Sequence, residues 1–274
     1  MFKDKVVIIT GGSSGVGKAL AQRLIKRGAS LALVARDEGK LKSVRDELLK
    51  SRSGEERVEI FSCNVADFSE VEKTFAAIVE KMGIPDILIN SAGILKEGYF
   101  EKIPLQVFRE VMDINYFGTL YCIRSALPYF KQKGKGRVVN LCSMGGLIGL
   151  FGYAAYCSSK FAVAGLTETL RGELKPQNII FHLVCPGEFE SPMVDELNSY
   201  RTEENRTLVQ TVPVLGVDQV ADEIISGLEK NKYRIIPGSM ARFLELFYRW
   251  FPMLGRMIVD SRIKKVYRGP GKLT

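Results

Sequence analysis

Val6-Val7-Ile8-Ile9-Thr10-Gly11-Gly12-Ser13-Ser14-Gly15-Val16-Gly17 opens the chain with an apolar, β-branched run that breaks into glycines. A short apolar run bounded by a turn signal reads as a buried strand. Behind the glycines Ala19, Leu20, Leu24 and Ile25 recur at helical spacing, so a helix follows at once. Strand, glycine turn and helix form the setting in which a glycine fingerprint has a mechanism. Glycines let the backbone approach a pyrophosphate. The helix N-terminus offers it unpaired N–H groups and the positive end of a dipole. The spacing is G-x-x-x-G-x-G, and the bland alternative is a glycine-rich βα turn that binds nothing.

The next strand, expected over 30–35, says which dinucleotide fits that turn. An acid about 20 residues past the glycines grips a ribose 2′-hydroxyl, whereas an arginine accommodates a 2′-phosphate. The chain has Ala35-Arg36-Asp37, with Lys40 one turn further on. Arg36 and Lys40 favour NADP(H). Asp37 is the counter-signal, because a strand ending one residue later would favour NADH. Arg36 and Lys40 also read as solvated charges opening a helix.

Outward from there, strand-like and helix-like segments alternate to the end. Strands are predicted at 5–10, 30–35, 57–62, 86–90, 136–142, 179–185 and 233–236. Helices are predicted at 16–27, 38–51, 69–81, 105–130 (one bent helix or two), 154–175 and 218–229. This alternation predicts a single doubly wound α/β unit, a seven-stranded parallel sheet with helices on both faces. Right-handed crossovers put every strand C-terminus on one edge, where ligands bind. Gly11, Arg36, Asn64, Asn90, Ser143 and Pro186 all fall just after predicted strands, hence on one rim.

Three residues on that plan carry chemistry: Ser143, Tyr156 and Lys160. Tyr156 and Lys160 are four apart in a helical pattern, so phenol and ammonium share a face. A nearby cation favours the phenolate and brings its pKa down from about 10 towards neutrality. Such a tyrosine exchanges a proton with an alcohol or carbonyl oxygen. The single histidine, His182, lies in a strand pattern and reads as a packed or hydrogen-bonded core residue. Ser143 is flanked by Leu141 and Gly145, not by the two glycines of a nucleophile elbow, so hydrolysis is a poor reading. The five cysteines are an odd number without a C-x-x-C, and read as reduced core thiols.

No charged and apolar leader precedes the first strand, and no apolar run reaches the ~18 residues that span a bilayer. A cytoplasmic chain is expected. Its formal charge is +8, and residues 240–274 hold eight basic residues against two acids. Met240, Phe243, Leu244, Phe247, Phe251, Leu254 and Ile258 form one apolar stripe there, with Arg242, Arg249 and Arg256 off it. Pro252 should kink or break the helix. A basic amphipathic segment lies on an anionic membrane surface, packs on a neighbouring subunit, or roofs a greasy cleft. An ordinary docked helix with solvated arginines is the fourth reading. Nucleic acid is a poor partner, since the charge is local and no recognition motif accompanies it.

Together these residues resemble the short-chain dehydrogenase/reductase family over about residues 3–236. Thr10-Gly11-x-x-x-Gly15-x-Gly17 matches its cofactor turn. Asn90-Ser91-Ala92-Gly93 matches its Asn-Asn-Ala-Gly element, with serine for the second asparagine. Asn64-Val65 stands where the family usually has Asp-Val beside the adenine. Asn115 matches its helix asparagine, Ser143, Tyr156 and Lys160 its catalytic set, and Pro186-Gly187 its loop beside the nicotinamide.

The resemblance implies a Rossmann-like fold over residues 1–239, with 240–274 as an extension packed on it, on a membrane or on a partner. It implies NADP(H) held by Gly11, Ser13, Ser14, Gly15, Val16, Gly17, Arg36, Lys40, Asn64, Val65, Asn90, Ala92, Gly93, Tyr156, Lys160, Pro186, Gly187, Phe189 and Ser191. By it Tyr156 is the general acid in reduction. Lys160 lowers its pKa and binds the nicotinamide ribose, Ser143 polarises the carbonyl, and Asn115 orders a water linking Lys160 to solvent. Dimers or tetramers built from the 105–130 and 154–175 helices are the family's habit. Gly149–Tyr156, Ser159–Ala162 and Leu170–Pro176 narrow the likeness to the branch that reduces a long-chain β-keto amine with NADPH. The loop Pro186–Pro192 departs from the Pro-Pro-Asp sequence of that branch. The expectation is reduction of a hydrophobic ketone to a secondary alcohol. The alternative is a hydroxysteroid or other alcohol dehydrogenase of the same family.

Overall fold

The β-branched runs pair side by side. The computed structural model describes residues 1–52, 54–210 and 212–267. Its strands are β1 (Val6–Thr10), β2 (Ser30–Ala35), β3 (Val58–Ser62), β4 (Ile87–Asn90), β5 (Gly136–Leu141), β6 (Ile179–Val184) and β7 (Arg234–Ile235). They form a seven-stranded parallel sheet in the order β3-β2-β1-β4-β5-β6-β7. The chain winds outward one way from β1 and then the other way from β4, so the crevice between their C-terminal ends is the switch point where ligands bind in such sheets.

The helices are α1 (Gly15–Ile25), α2 (Glu38–Ser51), α3 (Phe68–Met82), α4 (Leu105–Met112), α5 (Gly118–Lys133), α6 (Ala154–Leu174), α7 (Pro192–Asn198), α8 (Glu203–Val209), α9 (Val217–Glu229), α10 (Ser239–Trp250) and α11 (Pro252–Tyr267). Side chains alternate across the sheet, as β2 shows. Leu31 and Leu33 join a core with Leu24 of α1, Leu48 of α2 and Ile224 of α9. Ala32 and Val34 join a second core with Phe75 of α3 and Ile123, Ala126 and Phe130 of α5. Both faces of the sheet are therefore dry. Each large side chain so buried contributes about 1.5–3 kcal/mol relative to exposure.

The segment 105–130 is neither one helix nor a simple pair. α4 and α5 are joined by a π turn over Asp113–Phe117, and α5 runs on to Lys133. Such turns are rare within helices and gather at functional sites, and Asn115 lies in this one. All five cysteines are buried thiols.

The tail breaks at Phe251, just before Pro252, whose ring excludes a continuous helix. One apolar stripe therefore becomes two helices. Glu245 of α10 is 7% exposed and holds Arg234 of β7 at 2.7 Å and Arg249 at 2.8 Å. Arg242 pairs with Glu223 of α9 at 2.8 Å. α11 packs on α8. Arg268 and Lys272 of the tail lie outside the described residues. Among the described residues no helix is long and apolar enough to cross a membrane.

Candidate active site

The glycine turn after β1 is shaped by close approach. Gly11 has φ +67°, and a Cβ on it would sit 2.8 Å from the Ala92 nitrogen beyond β4. A Cβ on Gly17 would strike the Gly11 carbonyl, so α1 lies directly on the turn. Gly15 has φ +50°, and Ser191 is the nearest neighbour of its would-be Cβ at 4.0 Å. The loop after β6 thus overhangs the turn. Ser13 and Val16 complete the same turn and first helical residues. At the head of α1, Ser14 makes no side-chain cap and the first turn holds no acid. The contrast is with α2 and α3, whose N-termini are capped by Asp37 and Asp67. An uncapped, acid-free N-terminus behind a turn that a Cβ would fill suits a pyrophosphate.

At the β2 and β3 end of the rim, β2 stops at Ala35, so Arg36 follows the strand directly. The Arg36 carbonyl accepts from Ser62 Oγ at 3.1 Å. Asp37 Oδ1 accepts from the Lys40 backbone N–H at 2.9 Å, and that bond holds its carboxyl below the usual range. Asn64 Oδ1 accepts from the Ala66 N–H at 3.2 Å, closing a local turn. Val65 is buried beneath Gly118, where a Cβ would lie 2.8 Å from Val65 Cγ2. These residues share the rim but stand apart from the catalytic trio.

The trio itself converges. Ser143 follows β5, and its Oγ accepts from the Gly145 N–H at 3.0 Å. A Cβ on Gly145 would lie 3.4 Å from Tyr156 Cε1 and 3.5 Å from Ser143 Oγ, which places serine and phenol together. Lys160 Nζ lies 5.7 Å from the Tyr156 ring centroid and donates to the Leu141 carbonyl at 2.9 Å. Met144 N–H donates to the Pro186 carbonyl at 2.9 Å, which pins the Pro186-Gly187 loop over Ser143. Phe189 bridges to Leu215 in that loop.

One expectation is corrected here. Lys160 was expected to draw the Tyr156 pKa down. Burial instead pushes the phenol above its ordinary value, and the hydrogen bond with Ser143 offsets this only in part. Burial also pulls the Lys160 ammonium below its ordinary value. Desolvation disfavours whichever form is charged, the phenolate of Tyr156 and the ammonium of Lys160. The phenol is thereby held protonated, the form a proton donor needs. The Asn115 side chain is spent on bonds within the protein. Its Oδ1 accepts from Ile94 N–H at 2.8 Å, and its Nδ2 donates to the Ile94 carbonyl and to Ser159 Oγ, each at 2.9 Å. It fastens the Asn90-Ser91-Ala92-Gly93 loop to α6. A Cβ on Gly93 would lie 3.0 Å from Asn115 Oδ1 and 3.6 Å from Lys160 Nζ, so this loop also touches the lysine.

A buried polar chain escaped sequence reasoning. Asn90 Nδ2 donates to Asn140 Oδ1 at 2.8 Å, and Asn140 Nδ2 donates to Thr167 Oγ1 at 2.8 Å. It ties β4 and β5 to α6, which carries Tyr156 and Lys160. The available signal was an asparagine inside the apolar run Val138-Val139-Asn140-Leu141. Tyr153 was missed too; its ring stands edge-on to Tyr156 with centroids 5.7 Å apart.

A cavity of about 520 Å³ opens at Ser143 and Tyr156. Gly187, Glu188 and Phe189 form one side, and Phe243, Leu244, Phe247, Ile258 and Val259 of the tail form another. Glu188 and Arg262 are its charged lining residues. Glu188 is held by the buried Arg201 at 2.7 Å. Greasy walls with few polar groups, set around a proton donor, fit an apolar substrate with one reacting oxygen.

The profile for short chain dehydrogenase matches residues 5–202. The chain belongs to the short-chain dehydrogenase/reductase family. Membership makes it an oxidoreductase that works between C=O and CH–OH with a nicotinamide cofactor. Among its relatives, 3-ketodihydrosphingosine reductase of Bos taurus is 37% identical over 235 residues, covering 85% of this chain and 71% of that one. Levodione reductase superposes with a TM-score of 0.80 at 27% identity, covering 88% of this chain and 99% of that one. An actinorhodin polyketide ketoreductase variant with NADPH superposes with a TM-score of 0.77 at 27% identity, covering 86% and 96%. In this short-chain dehydrogenase/reductase, residues of the tail form part of the cavity wall.

Proposed function

We propose that this enzyme reduces a long-chain 3-ketone, 3-ketodihydrosphingosine or a close analogue, to the secondary alcohol with NADPH. The observation that carries the reading is the apolar cavity that starts at the Tyr156 phenol and is walled by the tail. The named reductase of Bos taurus points to the same substrate class. In the proposed mechanism the ketone oxygen lies between Ser143 and Tyr156. Ser143 Oγ already accepts from Gly145, which leaves its own proton to donate to that oxygen. Tyr156 gives up its phenolic proton as the oxygen gains charge. Lys160, fixed by the Leu141 carbonyl, would hold the ribose hydroxyls of the cofactor and steady the phenolate that results. NADPH, when bound, supplies the hydride. Residues 1–239 act as the catalytic domain, and the extension from 240 closes its cavity.

Preference for the phosphorylated cofactor rests on Arg36 and Lys40. The strand ends before Arg36, no carboxylate pairs with its guanidinium among the described residues, and the Asp37 carboxylate is engaged in capping α2. Exposed Leu105 on α4 and Phe161 on α6 suit a homo-oligomeric contact. The basic, apolar outer face of α10 and α11 suits a membrane surface.

The test is NADPH and NADH turnover with 3-ketodihydrosphingosine, shorter β-keto compounds and a hydroxysteroid panel run in both directions. NADPH with the long-chain ketone is expected to give the highest kcat/KM. Arg36→Glu should lower kcat/KM for NADPH by about tenfold or more, the worth of one charge-assisted contact. Preference for NADH, or best turnover with a steroid, would overturn the assignment.

A further inference from the structure

The cavity wall and a dense cluster of exposed apolar side chains are built from the same two helices. Met240, Phe243 and Ile258 line the cavity, yet are 43%, 60% and 48% exposed. Around them Leu246, Trp250, Phe251, Met253, Leu254 and Met257 are between 49% and 74% exposed. Soluble surfaces rarely gather so many large apolar side chains unless something covers them. An aromatic ladder leads inward along α10. Phe251 and Phe247 lie 5.8 Å apart, Phe247 and Phe243 lie 6.2 Å apart, and Phe247 reaches the cavity.

Charge says what covers this face. Arg242 and Arg249 of α10 are spent on Glu223 and Glu245. Arg256, Arg262, Lys264 and Lys265 of α11 are exposed and form no ion pair among the described residues. Arg262 also lines the cavity, which sets a cation at its mouth. Large apolar side chains beside unpaired cations match the boundary between acyl chains and anionic headgroups. A second copy of the same face would bring those cations against each other.

We infer that the seam between α10 and α11 is a portal seated on an anionic bilayer, through which the ketone slides into the cavity without crossing water. The inference rests on the lipid substrate proposed above. Ile258, Phe243 and Met240 form the portal, and the α11 cations hold it against headgroup phosphates.

Trp250 is the one tryptophan of the chain and lies 70% exposed on this face, so the unaltered enzyme carries its own probe. With vesicles of phosphatidylcholine and phosphatidylglycerol, its emission is expected to move to shorter wavelength and to be quenched by lipids brominated on the acyl chain. Kinetics supply the second arm. With 3-ketodihydrosphingosine in such vesicles, the rate should follow its surface fraction in the bilayer, not its bulk amount. Met253→Asp with Met257→Asp, two residues that do not line the cavity, should cut that rate about tenfold or more. Turnover of a short, water-soluble β-keto compound should stay unchanged, which shows that the variant is folded.

An unshifted, unquenched Trp250 overturns the inference. So does a vesicle-borne rate that survives the double substitution. So does a fall in molecular mass on that substitution, which would assign the face to a second copy. If neither ketone is turned over, the proposed function fails instead, and Trp250 alone then decides the membrane contact.

Discussion

Tyr156 is 8% exposed, with Ser143, Tyr153 and Lys160 as its polar and aromatic company. Its identity and its distance from Lys160 were legible in the sequence, because both follow from helical spacing. Its protonation was not, because desolvation depends on what packs around α6, and spacing says nothing of that. His182 shows the same lesson with a cleaner outcome. It was read as a hydrogen-bonded core residue, and it is fully buried with Nδ1 against the Lys232 carbonyl at 2.6 Å and Nε2 facing Arg137. Burial, with Arg137 alongside, lowers its pKa to about 4. The unfolded chain therefore binds a proton near the ordinary value of about 6.5 that the folded chain refuses. Stability contributed by the neutral ring is complete above that value and is lost as pH falls through 6.5 towards 4, by roughly 3 kcal/mol in all. Urea unfolding at pH 7 and at pH 4.5 is expected to show this drop in the parent and a shallower one in His182→Gln. Equal drops would place the acid sensitivity elsewhere.

At the level of elements, β1, its glycine turn and α1 were readable because each signal is local: β-branched residues, glycines and a 3.6 period. α7 and α8, of seven residues each, were not foreseen, because barely two turns repeat the pattern too few times to stand out. The π turn holding Asn115 was not specified for another reason, since the one-residue slip in phase that it causes reads equally as a bend or as a break between two helices. The cross-element chain Asn90, Asn140 and Thr167 is long-range and has no sequence spacing at all. Asn140→Leu fits the strand pattern but strips Asn90 Nδ2 of its acceptor, while Thr167 Oγ1 loses one donor and still donates to the Val163 carbonyl at 2.6 Å. A buried polar group left unpaired costs about 1–3 kcal/mol. The variant is expected to lose about 1–3 kcal/mol of stability on that basis. A calorimetric scan should show the loss, and an unchanged melting temperature would mean that the chain of hydrogen bonds is not what holds α6 to the sheet.

Seen whole, the sheet, the rim and the tail form one device. Strand C-termini collect the cofactor turn and the trio on a single edge, as the topology of parallel sheets requires. The sequence left four readings open for the tail, and the structure makes it a wall of the cavity that begins at Tyr156. That outcome depends on the break at Pro252, which folds α11 back over α8 so that both helices face the site.

The central claim is a proton passed from Tyr156 to a long-chain ketone. NADPH consumption with 3-ketodihydrosphingosine, measured for the parent and for Tyr156→Phe, tests it most directly. Turnover by the parent and a loss of about a hundredfold or more in the variant are expected, with the melting temperature preserved. Equal rates in the two proteins would contradict it.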